Sequence, residues 1–77
     1  MQAADVVSLL EEATQSVAGR VTEESHLEAL DGWDSMGMVM FVGLVQDRTG
    51  VELTVYELRG CDTPRALSKL IASRLGA

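Results

Sequence analysis

Apolar residues recur along the chain at spacings that change with position, and four helices follow from them. Val6, Leu10, Ala13 and Val17, with Leu9 beside them, repeat every three to four residues. That period puts them on one face of a helix from about Ala3 to Val17, which Gly19 ends. A polar connection follows from Arg20 to Asp34, punctuated by Val21, Leu27 and Leu30, which are expected to pin it to the core. A connection of this length is either packed or functional. A second helix is expected from Ser35 to Thr49, with Gly50 as its stop. In "VELTVYELRG" the alternation of Val51, Leu53 and Val55 resembles a short strand. However, Thr54 and Glu57 have capping-box spacing, and a short third helix over Val55–Arg59 is the reading adopted. The last helix opens at Thr63 as cap and Pro64 at the first helical position, with Leu67, Leu70, Ile71 and Leu75 as its stripe. Arg74 suits the negative end of that helix. Three longer helices and one short one predict an all-α fold, a small four-helix bundle, with residues 1–77 as a single domain.

The second helix departs from simple amphipathicity. Every residue from Met36 to Val45 is apolar or glycine, so two stripes run along it. Met38, Phe41, Val42 and Val45, continuing to Thr49, carry the bulk and are assigned to the core. Met36, Val39, Met40 and Gly43, continuing to Asp47, are then left facing out. Three large exposed apolar side chains forgo about 1.5–3 kcal/mol each of possible burial. Such a patch implies a partner, a second copy of the chain, or a core wider than one face. Methionine in particular suits surfaces that adapt to several partners.

The start of this helix, "DGWDSMGM", sets a serine between an acid and the apolar run. Either Asp34 or Ser35 can cap the helix, and neither choice completes a capping box, since the third helical position is then Gly37 or Met38. With Asp34 as cap, Trp33 and Met38 take the positions of a hydrophobic staple. Ser35 then lies at the first helical position, free to point outward, with small Gly37 leaving room beside it. A helix N-terminus favours an anion there, so a phosphate ester on Ser35 would be well placed. Nucleophilic hydrolysis is rejected. The G-x-S-x-G elbow lacks its first glycine, and His26, the single histidine, lies in a polar loop where an ordinary exposed residue is expected.

Charge and composition narrow the function classes. Residues 1–47 hold nine acids and one base, and residues 48–77 three acids and five bases, for a net of −6. An acidic front half argues against nucleic-acid binding, which needs a basic footprint. The lone Cys61 cannot form an intrachain disulfide and reads as a small buried hydrophobe; a reduced, cytoplasmic setting and a monomer are expected. With one histidine and one cysteine no metal cluster is expected, and no catalytic residue is assigned. The N-terminus has no basic region typical of a signal peptide, and no apolar run is long enough for a membrane span.

The motif "GWDSMGMV", together with "TGVELTVYEL" and "DTPRALSKLI", resembles the acyl/peptidyl carrier protein family from about Leu27 onward. The resemblance implies that Ser35 receives 4′-phosphopantetheine from coenzyme A through a phosphopantetheinyl transferase. It implies an arm whose thiol carries acyl or aminoacyl cargo, loaded by one enzyme and passed to downstream biosynthetic enzymes, while the carrier itself catalyses nothing. It makes Asp34 the acid flanking the serine and places Met36, Val39, Met40, Gly43 and Asp47 on the partner-recognition face. Fatty-acid carriers usually set several acids on this helix. Gly37 and Met40 take such positions here, which looks more like stand-alone carriers of polyketide or nonribosomal peptide pathways. "DSMG" and "DTP" also resemble D-alanyl carriers of cell-wall modification. A reading from another class is an unmodified helical interaction module using the Met36, Val39 and Met40 face.

Overall fold

The computed structural model describes residues 1–76; Ala77, the last residue of the expected domain, lies outside them. Its helices are α1 (Ala3–Thr14), α2 (Ser35–Thr49), α3 (Val55–Arg59) and α4 (Pro64–Gly76), with a 3₁₀ turn at Leu27–Ala29. No strand occurs among the described residues, so the capping box at Thr54 prevails over the alternation beside it. The Thr54 hydroxyl accepts from the Glu57 N–H at 3.2 Å, and the Glu57 carboxylate accepts from the Thr54 N–H at 3.1 Å. Two reciprocal bonds at the first turn make a five-residue helix worth forming. No helix among the described residues is long and apolar enough to cross a membrane.

α1 packs against α2 and α4, and α3 against α2. The core between them is aliphatic around one aromatic ring: Leu9, Leu10, Leu27, Phe41, Leu58, Leu67 and Ile71 are all fully buried. The long connection contributes Val21 and Leu27 to this core, as expected, with Leu30 half-buried at its edge. Backbone bonds also tether it. The Leu27 N–H donates to the Asp62 carbonyl at 2.9 Å, and the Arg65 N–H to the Glu23 carbonyl at 3.2 Å. The Arg65 side chain pairs with Glu23 and Glu24, which raises its pKa above the usual arginine value through the hydrogen bond and charge of Glu24 and the charge of Glu23.

Two expectations are corrected. α1 stops at Thr14, not near Val17, because Gln15 turns left-handed at φ 57° and its N–H closes the helix end; Val17 is exposed and belongs to no core. The Glu11 carboxylate then accepts from the N–H groups of Gly19 and Val21, at 2.8 and 3.3 Å, and holds the turn that follows. Leu75 is exposed near the end of α4 and does not join the buried stripe of Leu67 and Ile71. Arg74 lies in the last turn of its own helix, as expected, and it also pairs with Glu57 and donates to the Glu52 carbonyl at 3.5 Å, tying α4 to the start of α3.

Candidate functional site

Asp34 is the cap of α2. Its backbone is extended, its Oδ1 accepts from the Gly37 N–H at 3.0 Å, and its carbonyl accepts from the Met38 N–H at 2.8 Å. Ser35 is therefore the first helical residue, and it is exposed. The N–H groups of Ser35 and Met36 have no acceptor among the described residues. They are the two donors of the first turn that the cap leaves over. An exposed hydroxyl beside free N–H groups at the positive end of a 15-residue helix fits a phosphodiester.

The two faces of α2 separate as the stripes predict. Phe41 and Val45 are completely buried, and Met38 and Val42 are half-buried against the core together with Leu44, which neither stripe included. On the other side Met36 is 82% exposed, Val39 62% and Met40 53%. Gly43 and Asp47 are exposed further along the helix. Between Ser35 and Gln46 the helix carries no charge, and Asp34 and Asp47 bound that stretch at its two ends. Tyr56 on α3, which the sequence reading passed over, is 87% exposed, more than any of the three.

Gly37 does not sit on that outer face. It is buried, and a Cβ built there would overlap the Gly32 carbonyl oxygen. Its smallness therefore admits the preceding loop and is not space left beside Ser35. Gly32, at φ +88°, is itself pressed against Thr14: a Cβ would lie 2.8 Å from the Thr14 carbonyl oxygen.

Trp33 and Met38, the pair expected to staple the helix start, are both half-buried and line one cleft of ≈ 650 Å³ with Leu58, Arg59 and Cys61. Trp33 also meets Phe41 edge-on. Cys61 is half-buried, not fully buried as expected, and its Sγ donates to the Glu57 carbonyl at 3.7 Å. Burial first, and the charge of Asp62 second, push its thiol pKa above the ordinary value. His26 is exposed in its loop.

A family model described as a phosphopantetheine attachment site matches residues 4–71. The chain belongs to that family. Carrier domains of the family bear 4′-phosphopantetheine covalently and are not catalytic; they hold cargo on the arm. The chain is thus a phosphopantetheine carrier, and the family implies a phosphopantetheinyl transferase and acyl-handling enzymes as its partners. No curated protein and no solved structure matches the chain.

Proposed function

We propose that residues 1–77 act as one carrier domain with Ser35 as the attachment residue and Asp34 as the acid that caps and flanks it. The observation that carries this is the exposed Ser35 hydroxyl at the first position of α2, beside two N–H groups without acceptors. In the transfer from coenzyme A, Ser35 Oγ forms a bond to the phosphorus bearing the pantetheine. The bond from that phosphorus to the adenosine bisphosphate breaks, the bisphosphate leaves, and the hydroxyl proton passes to the transferase. The attached arm supplies a thiol that holds an acyl or aminoacyl group as a thioester. The chain's own residues fix where the arm begins and leave the partner a surface to land on.

That surface is Met36, Val39, Met40 and Gly43, ending at Asp47. The exposure of its apolar residues and the absence of charge between Ser35 and Gln46 support partners that read an apolar face. They favour carriage of polyketide or nonribosomal peptide intermediates over docking to enzymes that recognise an acidic helix.

Intact mass after incubation with coenzyme A and a broad-specificity phosphopantetheinyl transferase tests the attachment residue. One phosphopantetheine per wild-type chain and none on Ser35→Ala is expected. Uptake by Ser35→Ala places the arm elsewhere. An unmodified wild-type chain that still binds its partner in full points to a plain interaction module.

A further inference from the structure

The first turn of α2 is built around a glycine in the part of the helix where any good helix former would satisfy the cap. The bonds from Asp34 to the N–H groups of Gly37 and Met38 use backbone donors alone and place no demand on the side chain at 37. Glycine is the weakest helix former after proline. What requires it is space, since a Cβ at 37 would overlap the Gly32 carbonyl oxygen, with the Gly32 carbonyl carbon 3.1 Å away. Gly43 in the same helix has no heavy atom within 4 Å of its Cβ position, so nothing comparable constrains it.

Gly32 itself lies close against the end of α1. It stands at φ +88°, and its Cβ direction is closed by the Thr14 carbonyl oxygen at 2.8 Å, Thr14 Cβ at 3.0 Å and Thr14 Cα at 3.2 Å. The end of α1, the loop before the serine and the first turn of α2 therefore form one stack, Thr14 on Gly32 on Gly37. Ser35 lies inside the segment whose two ends this stack holds together. A side chain at 37 must push the loop into Thr14 or swing the first turn of α2 away from the loop. The second path carries Ser35 with it.

We propose that Gly37, backed by Gly32 and Thr14, is a positioning residue for modification of Ser35. It fixes the direction in which the hydroxyl leaves the helix start. This rests on the reading that Ser35 takes the arm. Displacing a reacting group by about 1 Å is enough to lower a rate by about 100-fold.

The test is the steady-state kinetics of arm transfer from coenzyme A to wild-type, Gly37→Ala and Val45→Ala chains, at a temperature where circular dichroism shows each folded. Val45 is fully buried further along the same helix, so its truncation loosens packing without touching the stack. A kcat for Gly37→Ala lowered by about 10- to 100-fold, with Val45→Ala near wild type, is the expected result. A Gly37→Ala kcat within twofold of wild type, or no lower than that of Val45→Ala, overturns the proposal. Hydrogen exchange on the wild-type chain adds a measurement independent of folding of the variant. The Gly37 and Met38 amides should be protected as strongly as those of mid-helix α2, and rapid exchange there overturns the rigid stack. A wild-type chain that takes up no arm, or a Ser35→Ala chain that does, overturns the attachment reading and this proposal with it. Failure confined to Gly37→Ala leaves the attachment reading standing.

Discussion

The ring of Trp33 meets the ring of Phe41 edge-on, with centroids 5.5 Å apart and planes at 80°. The two residues differ in environment: Phe41 is the largest fully buried side chain, and Trp33 stands half-buried at the cleft beside the helix start. The contact joins the residue two places before Ser35 to the centre of the core. Phe41→Ala should cost about 3–5 kcal/mol, which is most of the stability of a domain this small. Trp33→Leu, which keeps apolar bulk but loses the edge-to-face contact, should cost about 0.5–1.5 kcal/mol. Urea unfolding followed by circular dichroism checks both. A Phe41→Ala chain as stable as wild type would mean that the core is not organised around this ring.

Asp34 is expected to matter as a hydrogen-bond acceptor first. Its Oδ1 takes the Gly37 N–H at 3.0 Å. Asp34→Ala should therefore lose about 0.5–2 kcal/mol, whereas Asp34→Asn, which keeps an oxygen there, should stay close to wild type. For a domain of this size each kcal/mol moves Tm by about 4–8 °C, so thermal melts resolve the pair. Equal loss in both variants would show that the charge, and not the acceptor, holds the helix start.

Cys61 sets a pH dependence with a definite sign. Burial and the nearby Asp62 raise its folded pKa above the ordinary thiol value of about 9. The folded state thus holds the thiol proton more tightly than the unfolded chain. Its contribution to stability is whole below the unfolded pKa and is lost as pH rises through the folded one. Wild-type stability should accordingly fall more steeply above about pH 9 than that of Cys61→Ala, measured as the difference between paired urea titrations. At neutral pH the thiol should also react with iodoacetamide more slowly than in the unfolded chain, since thiolate is the reactive form. Identical alkaline limbs in the two chains would contradict the burial of the thiol.

Much of this was legible in the chain. Both ends of α2 and α3, the cap at Asp34 and the split of α2 into two faces follow from local chemistry: a cap, a glycine stop, a capping box, an apolar run. The family was legible only as a resemblance of whole motifs. The two loop errors share one physical origin, contacts that reach beyond one helical turn and that the helical period does not encode. Nothing near Val17 signals that Glu11 reaches forward to Gly19 and Val21 and makes that stretch a turn. Nothing near Gly37 signals that Gly32 lies against it, or that Thr14 lies behind Gly32. Glycines five residues apart around a cap are the one local sign, and they support opposite readings until the loop's path is known. Leu75 keeps helical spacing but is exposed, and periodicity cannot register where along a helix the core ends.

The outer face of α2 supplies the prediction that reaches furthest into function. Met40 is 53% exposed between Met36 and Gly43 on the uncharged stretch. Glutamate is a good helix former and is well solvated at such a position, so Met40→Glu should change stability by no more than about 0.5 kcal/mol. Arm attachment to Ser35 should still go to completion, since the cap and the first turn are untouched. Docking is where the substitution should act. A partner with an apolar pocket would have to desolvate a carboxylate left without a counter-charge, at about 1–3 kcal/mol or more. The enzyme that loads the modified carrier should then show a KM for it about 5- to 150-fold higher, with kcat changed less. Met40→Leu, which keeps the face apolar, should load nearly as wild type. Unchanged loading of Met40→Glu by the natural enzyme would move the partner surface elsewhere, with the exposed Tyr56 on α3 the next residue to substitute.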